Sequence, residues 1–275
     1  MIVGVILAGG ESRRFHGNKL IVEVDGIPVI RRVYHALKEN VDMVYLSVKD
    51  NSRINELSKY FLNEEVRYVL DFQDLGGGPY NAIISSLDKI EADEFLIVPG
   101  DTPWVTSVFF SRWIDKINEY RTAASTVIWG NGMLDSLYIY IDKKRIRNIV
   151  KLLYLMRKEG RATDIIRASP CILFAHVRDL VDDPIWLAHI NTRENLSNPS
   201  PKNPVEGFVD EDVVIRRPGI SSIPFLKALD RVSSKDYREA VKILLEELME
   251  YHEYEIYHLV YHVSKDIEDV IEFIM

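Results

Sequence analysis

The stretch LAGGESRRFHGNK, Leu7 to Lys19, sets two glycines at the exit of an apolar run and follows them with Arg13, Arg14 and Lys19. Glycines at a strand-to-helix turn let the backbone approach an anion and aim its N–H groups at it. The positive side chains beyond them suit a polyphosphate. The string is neither the Walker pattern, because no hydroxyl residue follows Lys19, nor G-x-G-x-x-G. A surface turn running into a basic helix end would carry the same Gly-Gly, so the argument rests on the whole string. Asp101 is the second chemistry-bearing residue. It follows the apolar run FLIVP through Gly100. A carboxylate at a strand end, opposite a phosphate loop, offers Mg²⁺ a hard oxygen and leaves room for substrate phosphates. Asp101-Thr102-Pro103 also reads as a helix start; the phosphate loop tips the reading towards metal binding. Gly76, Gly77 and Gly78, ahead of Pro79, allow close approach of a planar base, or else form a flexible entry to a helix.

These residues need rigid elements behind them. IVGVIL (2–7), MVYLSV (43–48), VRYVL (66–70), EFLIVP (94–99) and LYIYI (137–141) are short apolar runs with little alternation. Such runs fit strands covered on both faces. Helical spacing lies between them, at Val29, Ile30, Val33, Ala36 and Leu37, and at Ala82, Ile83, Ser86, Leu87 and Ile90. The alternation predicts an α/β domain with a doubly wound, mostly parallel sheet and helices on both faces. Ligands of such sheets sit beyond the carboxyl ends of the strands, where both Gly9-Gly10 and Asp101 fall. SNPSPKNPVEG reads as a linker. Ser233 and Asp236 fit a capping box ahead of a stripe from Tyr237 to Leu248, and Ile267, Val270, Ile271 and Ile274 repeat that spacing. The expected organisation is a domain over 1–200, a linker over 201–219 and a small helical module over 220–275, which packs on the first domain or forms a homodimer.

The bulk numbers narrow the class. The chain has 275 residues, 47% hydrophobic and 28% charged, with a formal net charge of −8. An acidic chain without a basic face is not a general nucleic-acid binder. No apolar stretch approaches the roughly 18 residues of a membrane span. The run Ile2 to Ala8 is too short for a secretory leader and has no basic lead-in. Cys171 is the single cysteine and can form neither an internal disulfide nor a metal cluster. A cytoplasmic location is expected.

The pieces together resemble the nucleotidyltransferases with a Rossmann-like, GT-A-type fold, closest to the molybdenum cofactor guanylyltransferase (MobA-like) branch. LAGGESRRFHGNK looks like the family's signature loop. Asp71 closes VRYVLD where the family has an aspartate near the base or ribose. GGGPYNAI, VPGDTPWV and HINTRENL follow in the family's order. The resemblance covers about 1–197. It implies nucleotide contacts from Leu7, Ala8, Gly9, Gly10, Lys19, Asp71, Gly77, Gly78 and Pro79. It implies catalytic roles for Arg14, Lys19 and Asp101, Mg²⁺ on Asp101, and a further polar contact from Asn191. The implied reaction moves a nucleoside monophosphate, GMP from GTP, to a small phosphorylated acceptor such as molybdopterin. Departures are His16 at the place of a loop glycine, His189 for the first asparagine of the closing motif, Arg193 for its proline, and Asp135-Ser136-Leu137 on the acceptor side. They leave two alternatives: transfer to another phosphorylated acceptor, with cytidylyl or guanylyl groups, or a nucleotide-binding regulator without turnover. His258 and His262 share the HExxH spacing but lack its glutamate, so a surface pair or a packed pair is expected. Cys171 reads as a core residue.

Overall fold

The computed structural model describes residues 1–10, 15 and 17–274. Ten strands are described: β1 (Ile2–Leu7), β2 (Glu23–Val24), β3 (Ile27–Pro28), β4 (Met43–Val48), β5 (Val66–Leu70), β6 (Glu94–Pro99), β7 (Ala124–Ile128), β8 (Leu134–Asp142), β9 (Cys171–His176) and β10 (Val213–Arg216). The helices are α1 (Val29–Lys38), α2 (Asn51–Leu57), α3 (Pro79–Lys89), α4 (Ser107–Tyr120), α5 (Lys143–Met156), α6 (Ala162–Arg167), α7 (Val177–Leu180), α8 (Glu194–Ser197), α9 (Pro224–Ser233), α10 (Tyr237–Glu253) and α11 (Tyr257–Glu272). Eight strands form one sheet in the order β10-β9-β7-β8-β6-β1-β4-β5. The strands β6, β1, β4 and β5 are parallel, β7 is parallel to β9, and β8 and β10 run antiparallel to their neighbours. The strands β2 and β3 make a separate small hairpin.

Side-chain alternation divides the core in two. Val3, Val5, Phe95, Ile97, Ile139 and Ile141 face one layer, which holds buried residues of α3, α5 and α6. Ile6, Leu96, Val98, Tyr138 and Tyr140 face the other, with α1 and α4. Residues with apolar neighbours above and below the sheet account for the unbroken apolar runs of the sequence.

The C-terminal helices join the first of these layers, through Phe225, Ala240, Leu244, Tyr251, Leu259 and Val263. They do not hang from a free linker. Residues 213–216, inside the expected linker, pair with β9 as an edge strand. Upstream, Gly130 N–H donates to Pro204 O at 3.2 Å and Val209 N–H to Gly130 O at 3.1 Å. On the other side of the same β7–β8 turn, His258 N–H donates to Gly132 O at 3.2 Å. Gly132 has φ +72, and a Cβ there would fall 2.1 Å from Glu255 O. The turn is thus held between the 204–209 segment and the start of α11. The capping box is read differently by the structure: Ser233 ends α9, and Asp236 caps α10 by accepting from Glu239 N–H at 3.4 Å.

His258 and His262 are a packed pair, with ring centroids 4.6 Å apart. His262 Nδ1 lies 2.8 Å from Thr163 Oγ1, while both ring nitrogens of His258 are buried without a partner. Burial, then mutual repulsion and Lys202, push His258 down to about 4, against a pull from Asp135. Burial, Arg161 and Arg167 push His262 down to about 4, against Asp266. Both folded values lie below the ordinary histidine value, so the unfolded chain binds protons first as pH falls. Stability from this source is intact above about pH 6.5 and drains as pH drops towards 4. The melting temperature is therefore expected to fall across that window. His258→Leu, which removes a partnerless imidazole, should flatten the fall at no cost near pH 7.5. A slope unchanged by His258→Leu and by His262→Leu would refute the assignment.

Candidate functional site

The carboxyl ends of β1, β4, β5 and β6 open into a cleft of about 750 Å³. Its lining includes Leu7, Gly9, Gly10, Lys19, Asp71, Gly77, Gly78, Pro79 and Asp101, so the structure brings these sequence candidates to one place. Ala8 is buried just beneath, its N–H donating to Ser47 O at 2.8 Å. Asn191 stands at the rim. Arg14, like Arg13 and His16, lies outside the described residues.

At one end the chain leaves β1 through Gly9 and Gly10. A Cβ on Gly9 would press on Asp71 Oδ2 at 3.3 Å and Lys49 N at 3.4 Å, whereas one on Gly10 would meet nothing within 4 Å among the described residues. Gly9 is therefore tight against the floor and Gly10 is open to the cleft. Asp71 follows β5, with its N–H on Val48 O at 3.0 Å and its Oδ1 accepting from Ser47 Oγ at 2.8 Å. Burial raises its pKa, opposed by Ser47 and Lys89. The glycine turn ends at Gly78, φ +103, which leads into α3 with Pro79 in the first turn. Asn81 braces the wall beside it: its Oδ1 accepts from Phe72 N–H at 3.0 Å and its Nδ2 donates to Phe72 O at 2.8 Å. Sequence reading did not single out Asn81 for this.

The other end is built around Asp101. Gly100 carries the chain out of β6 so close to β1 that a Cβ would fall 2.8 Å from Leu7 O. No helix begins at Asp101; α4 starts six residues later, capped by Thr106. Asp101 Oδ2 is ion-paired with Lys19 Nζ, which also lies 3.4 Å from Asn191 Oδ1. Asn195 Oδ1 fixes the Asn191 segment by accepting from Asn191 N–H at 3.0 Å and Thr192 N–H at 2.9 Å. Asp101 Oδ1 lies 3.0 Å from His189 Nδ1, and His189 Nε2 lies 3.2 Å from Asp135 Oδ1. A carboxylate can only accept, so an imidazole between two of them donates from both nitrogens. Burial alone would lower the His189 pKa; the Asp135 and Asp101 carboxylates override it and hold it up at about 10. Burial would raise Asp101, but His189 and Lys19 bring it down to about 2. The Asp135–His189 contact spans 54 positions, so nothing in the sequence links the two residues.

The donor set suits a hard divalent cation. Asp101 and Asn191 present two oxygens that already converge on a cation, the Lys19 ammonium. Among the described residues no group of three or more His, Cys, Asp or Glu could hold a metal alone. Mg²⁺ commonly takes one or two carboxylates and completes its shell with substrate phosphates and water.

Comparison with known proteins supplies the family. The model of the MobA-like NTP transferase domain matches residues 4–173. A probable molybdenum cofactor guanylyltransferase of Thermococcus sibiricus is 31% identical over 182 residues, covering 62% of this chain and 84% of the relative. The Pyrococcus horikoshii protein of the same description is 28% identical over 196 residues, covering 71% and 97%. Among solved structures, molybdopterin-guanine dinucleotide biosynthesis protein A from Archaeoglobus fulgidus aligns with a TM-score of 0.57 at 18% identity, covering 72% of this chain and 96% of that one. That likeness speaks for the fold.

Proposed function

The chain belongs to the MobA-like NTP transferase family, and from that premise we propose that it transfers GMP from GTP to the phosphate of molybdopterin and releases pyrophosphate. The observation that carries the reading is the single cleft that runs from Asp71 and the Gly77-Gly78 turn to the Lys19–Asp101 pair. Its volume suits a nucleotide with room to spare. The base would lie against Gly77, Gly78 and Pro79, with Asp71 beside it. Backbone N–H groups of Gly9 and Gly10 and the Lys19 ammonium would take the phosphates, joined by Arg14. Asp101, with Asn191 as polar partner, would hold Mg²⁺, which when bound supplies charge neutralisation across phosphate oxygens. The acceptor phosphate is already an anion, so its oxygen can bond to the α-phosphorus without a general base, as the bond to pyrophosphate breaks. The tasks left to the protein are alignment and neutralisation.

Three further parts of the reading are proposals on the same footing. The division into a transferase part over 1–200 and helices over 220–275 is supported by the family match within the first part. A homodimer through the C-terminal helices is supported by exposed Leu245, Met249, Phe273 and Ile274. A cytoplasmic location is supported by the single cysteine, and no helix among the described residues is long and apolar enough to cross a membrane.

A thermal-shift screen of GTP, CTP, ATP and UTP with Mg²⁺ tests the base. A ligand that binds only the folded chain raises its melting temperature, and at equal concentration the tighter ligand raises it more. GTP is expected to give the largest shift, and GTP with molybdopterin to release pyrophosphate. A larger shift from CTP would overturn the guanine assignment; a GTP shift without pyrophosphate release would overturn the transfer.

A further inference from the structure

The phosphate loop is gripped from outside. The helix α2 follows β4 directly and is fixed there by its cap, Asp50, which accepts from Arg53 N–H at 3.0 Å. From α2 the Arg53 side chain reaches back to the loop, and its Nη2 donates to Gly10 O. Its Nη1 donates to Glu56 Oε2 at 2.7 Å. The other oxygen of Glu56 accepts from Asn18 Nδ2 at 2.7 Å. Asn18 Oδ1 in turn accepts from Leu20 N–H at 3.1 Å. One chain of hydrogen bonds therefore runs Gly10–Arg53–Glu56–Asn18–Leu20. It touches the loop at the second of its two glycines and again on both sides of Lys19.

We propose that Arg53, Glu56 and Asn18 are positioning residues that clamp the two ends of the phosphate loop at a fixed separation. Backbone donors and a lysine can serve a triphosphate together only if they are held in register before it arrives. The loop ends lie eight positions apart, at Gly10 and Asn18, and neither belongs to a strand or helix. The clamp ties these two ends to each other through side chains. Its middle member is charged on both links, and charge-assisted hydrogen bonds are the stronger kind. Burial is partial: the Arg53 side chain is 15% exposed and that of Glu56 39%. The chain is thus shielded without being sealed. Leu20 belongs to the core, but the links themselves are the polar side chains of Arg53, Glu56 and Asn18, so their loss should be felt by the ligand more than by the fold.

The inference rests on the nucleotidyltransferase reading but not on the choice of base. Its test is calorimetric binding, with Mg²⁺, of GTP and of guanosine to Arg53→Met, Glu56→Ala, Asn18→Ala and the Arg53→Met/Asn18→Ala double variant. Each single change is expected to weaken GTP about tenfold, the scale of one lost charge-assisted hydrogen bond. Guanosine, which lacks phosphates, should bind as before. Among the described residues Arg53 and Asn18 meet only through Glu56, so the double variant should lose no more than either single one. Additive losses would mean that the two act separately and would overturn the clamp. Equal losses for GTP and guanosine would reduce it to general support of the cleft. Arg53 freed by Glu56→Ala would bind GTP as well or better if it contacts phosphate itself, and that result also overturns the proposal. A wild-type chain that prefers another triphosphate refutes the guanine assignment alone; the same variants are then read with that nucleotide and its nucleoside.

Discussion

Asp101→Asn is expected to lower pyrophosphate release by at least about 10³-fold while the protein stays folded. The substitution keeps the side-chain shape and removes the charge. It acts at a carboxylate that meets Lys19, His189 and the cleft together. An asparagine amide has one acceptor oxygen where the carboxylate has two. Both present partners are donors, so one of them must then face an amide N–H. Either Lys19 leaves its post beside the phosphates or His189 loses one of its two anchors. The hard-oxygen pair of Asp101 and Asn191 also loses its only charge, and with it most of its pull on a divalent cation. Lys19→Ala should be comparably damaging by another route, since it removes the cation poised between those oxygens and the cleft. The competing view is a purely structural Lys19–Asp101 ion pair. That view expects a lower melting temperature with kcat kept, because a partly exposed pair contributes modestly to stability and does nothing for turnover. Near-normal turnover by folded Asp101→Asn would sink the catalytic assignment. Loss of kcat with a small change in melting temperature would sink the structural one.

The proposed catalytic end was more legible in the sequence than the elements around it, and the reason is physical. The runs at 2–7, 43–48, 66–70 and 94–99 coincide with β1, β4, β5 and β6 because these strands carry few polar letters, and the inner ones β1, β4 and β6 are largely buried. The strand β7, ASTVI, is as deeply buried but does not read as a strand. Its polar side chains are satisfied inside: Ser125 Oγ accepts from Trp113 Nε1 at 2.9 Å, and Thr126 Oγ1 donates to Asp135 O at 3.3 Å. Burial that depends on a partner from another element is invisible in a local pattern. The strand β10 hides for a different reason. It is a four-residue edge strand behind a Pro- and Asn-rich stretch, and only its pairing with β9 makes it a strand. The same rule divides the site. Gly9, Gly10, Lys19 and Asp101 announce themselves by order and spacing. The Asp135–His189 contact and the Arg53–Glu56–Asn18 chain join residues whose neighbours in sequence carry no hint of each other.

The attachment of the C-terminal helices gives the largest expected effect on stability. Arg167→Met should destabilise the protein by about 3–5 kcal/mol, read by chemical denaturation. Arg167 has no exposed surface. Its Nε and Nη2 donate to the two oxygens of Glu247 on α10 at 2.9 and 2.8 Å, and its Nη1 meets Asp266 on α11 and Asp164 on α6. Its guanidinium also lies over Phe225 at 4.1 Å. Arg157 and Arg161 complete the cluster on Asp164 and Asp266. Three arginines thus face three carboxylates, and methionine at 167 fills similar space but strands a negative charge where water does not reach. If that logic is right, the cost comes from the stranded carboxylate and not from the lost pair. Arg167→Met combined with Glu247→Met should then recover most of the loss, since apolar replacement of a whole buried pair is often neutral or better. A double variant as unstable as the single one would show that the pair itself holds the helices down. The consequence reaches the cleft in either case. The 153–167 stretch that carries much of this cluster also supports the glycine turn, with Gly76 N–H on Lys158 O at 3.0 Å and Tyr80 hydroxyl on Leu153 O at 3.1 Å. A chain that loosens its C-terminal helices should therefore weaken its hold on the base before it loses its grip on the phosphates.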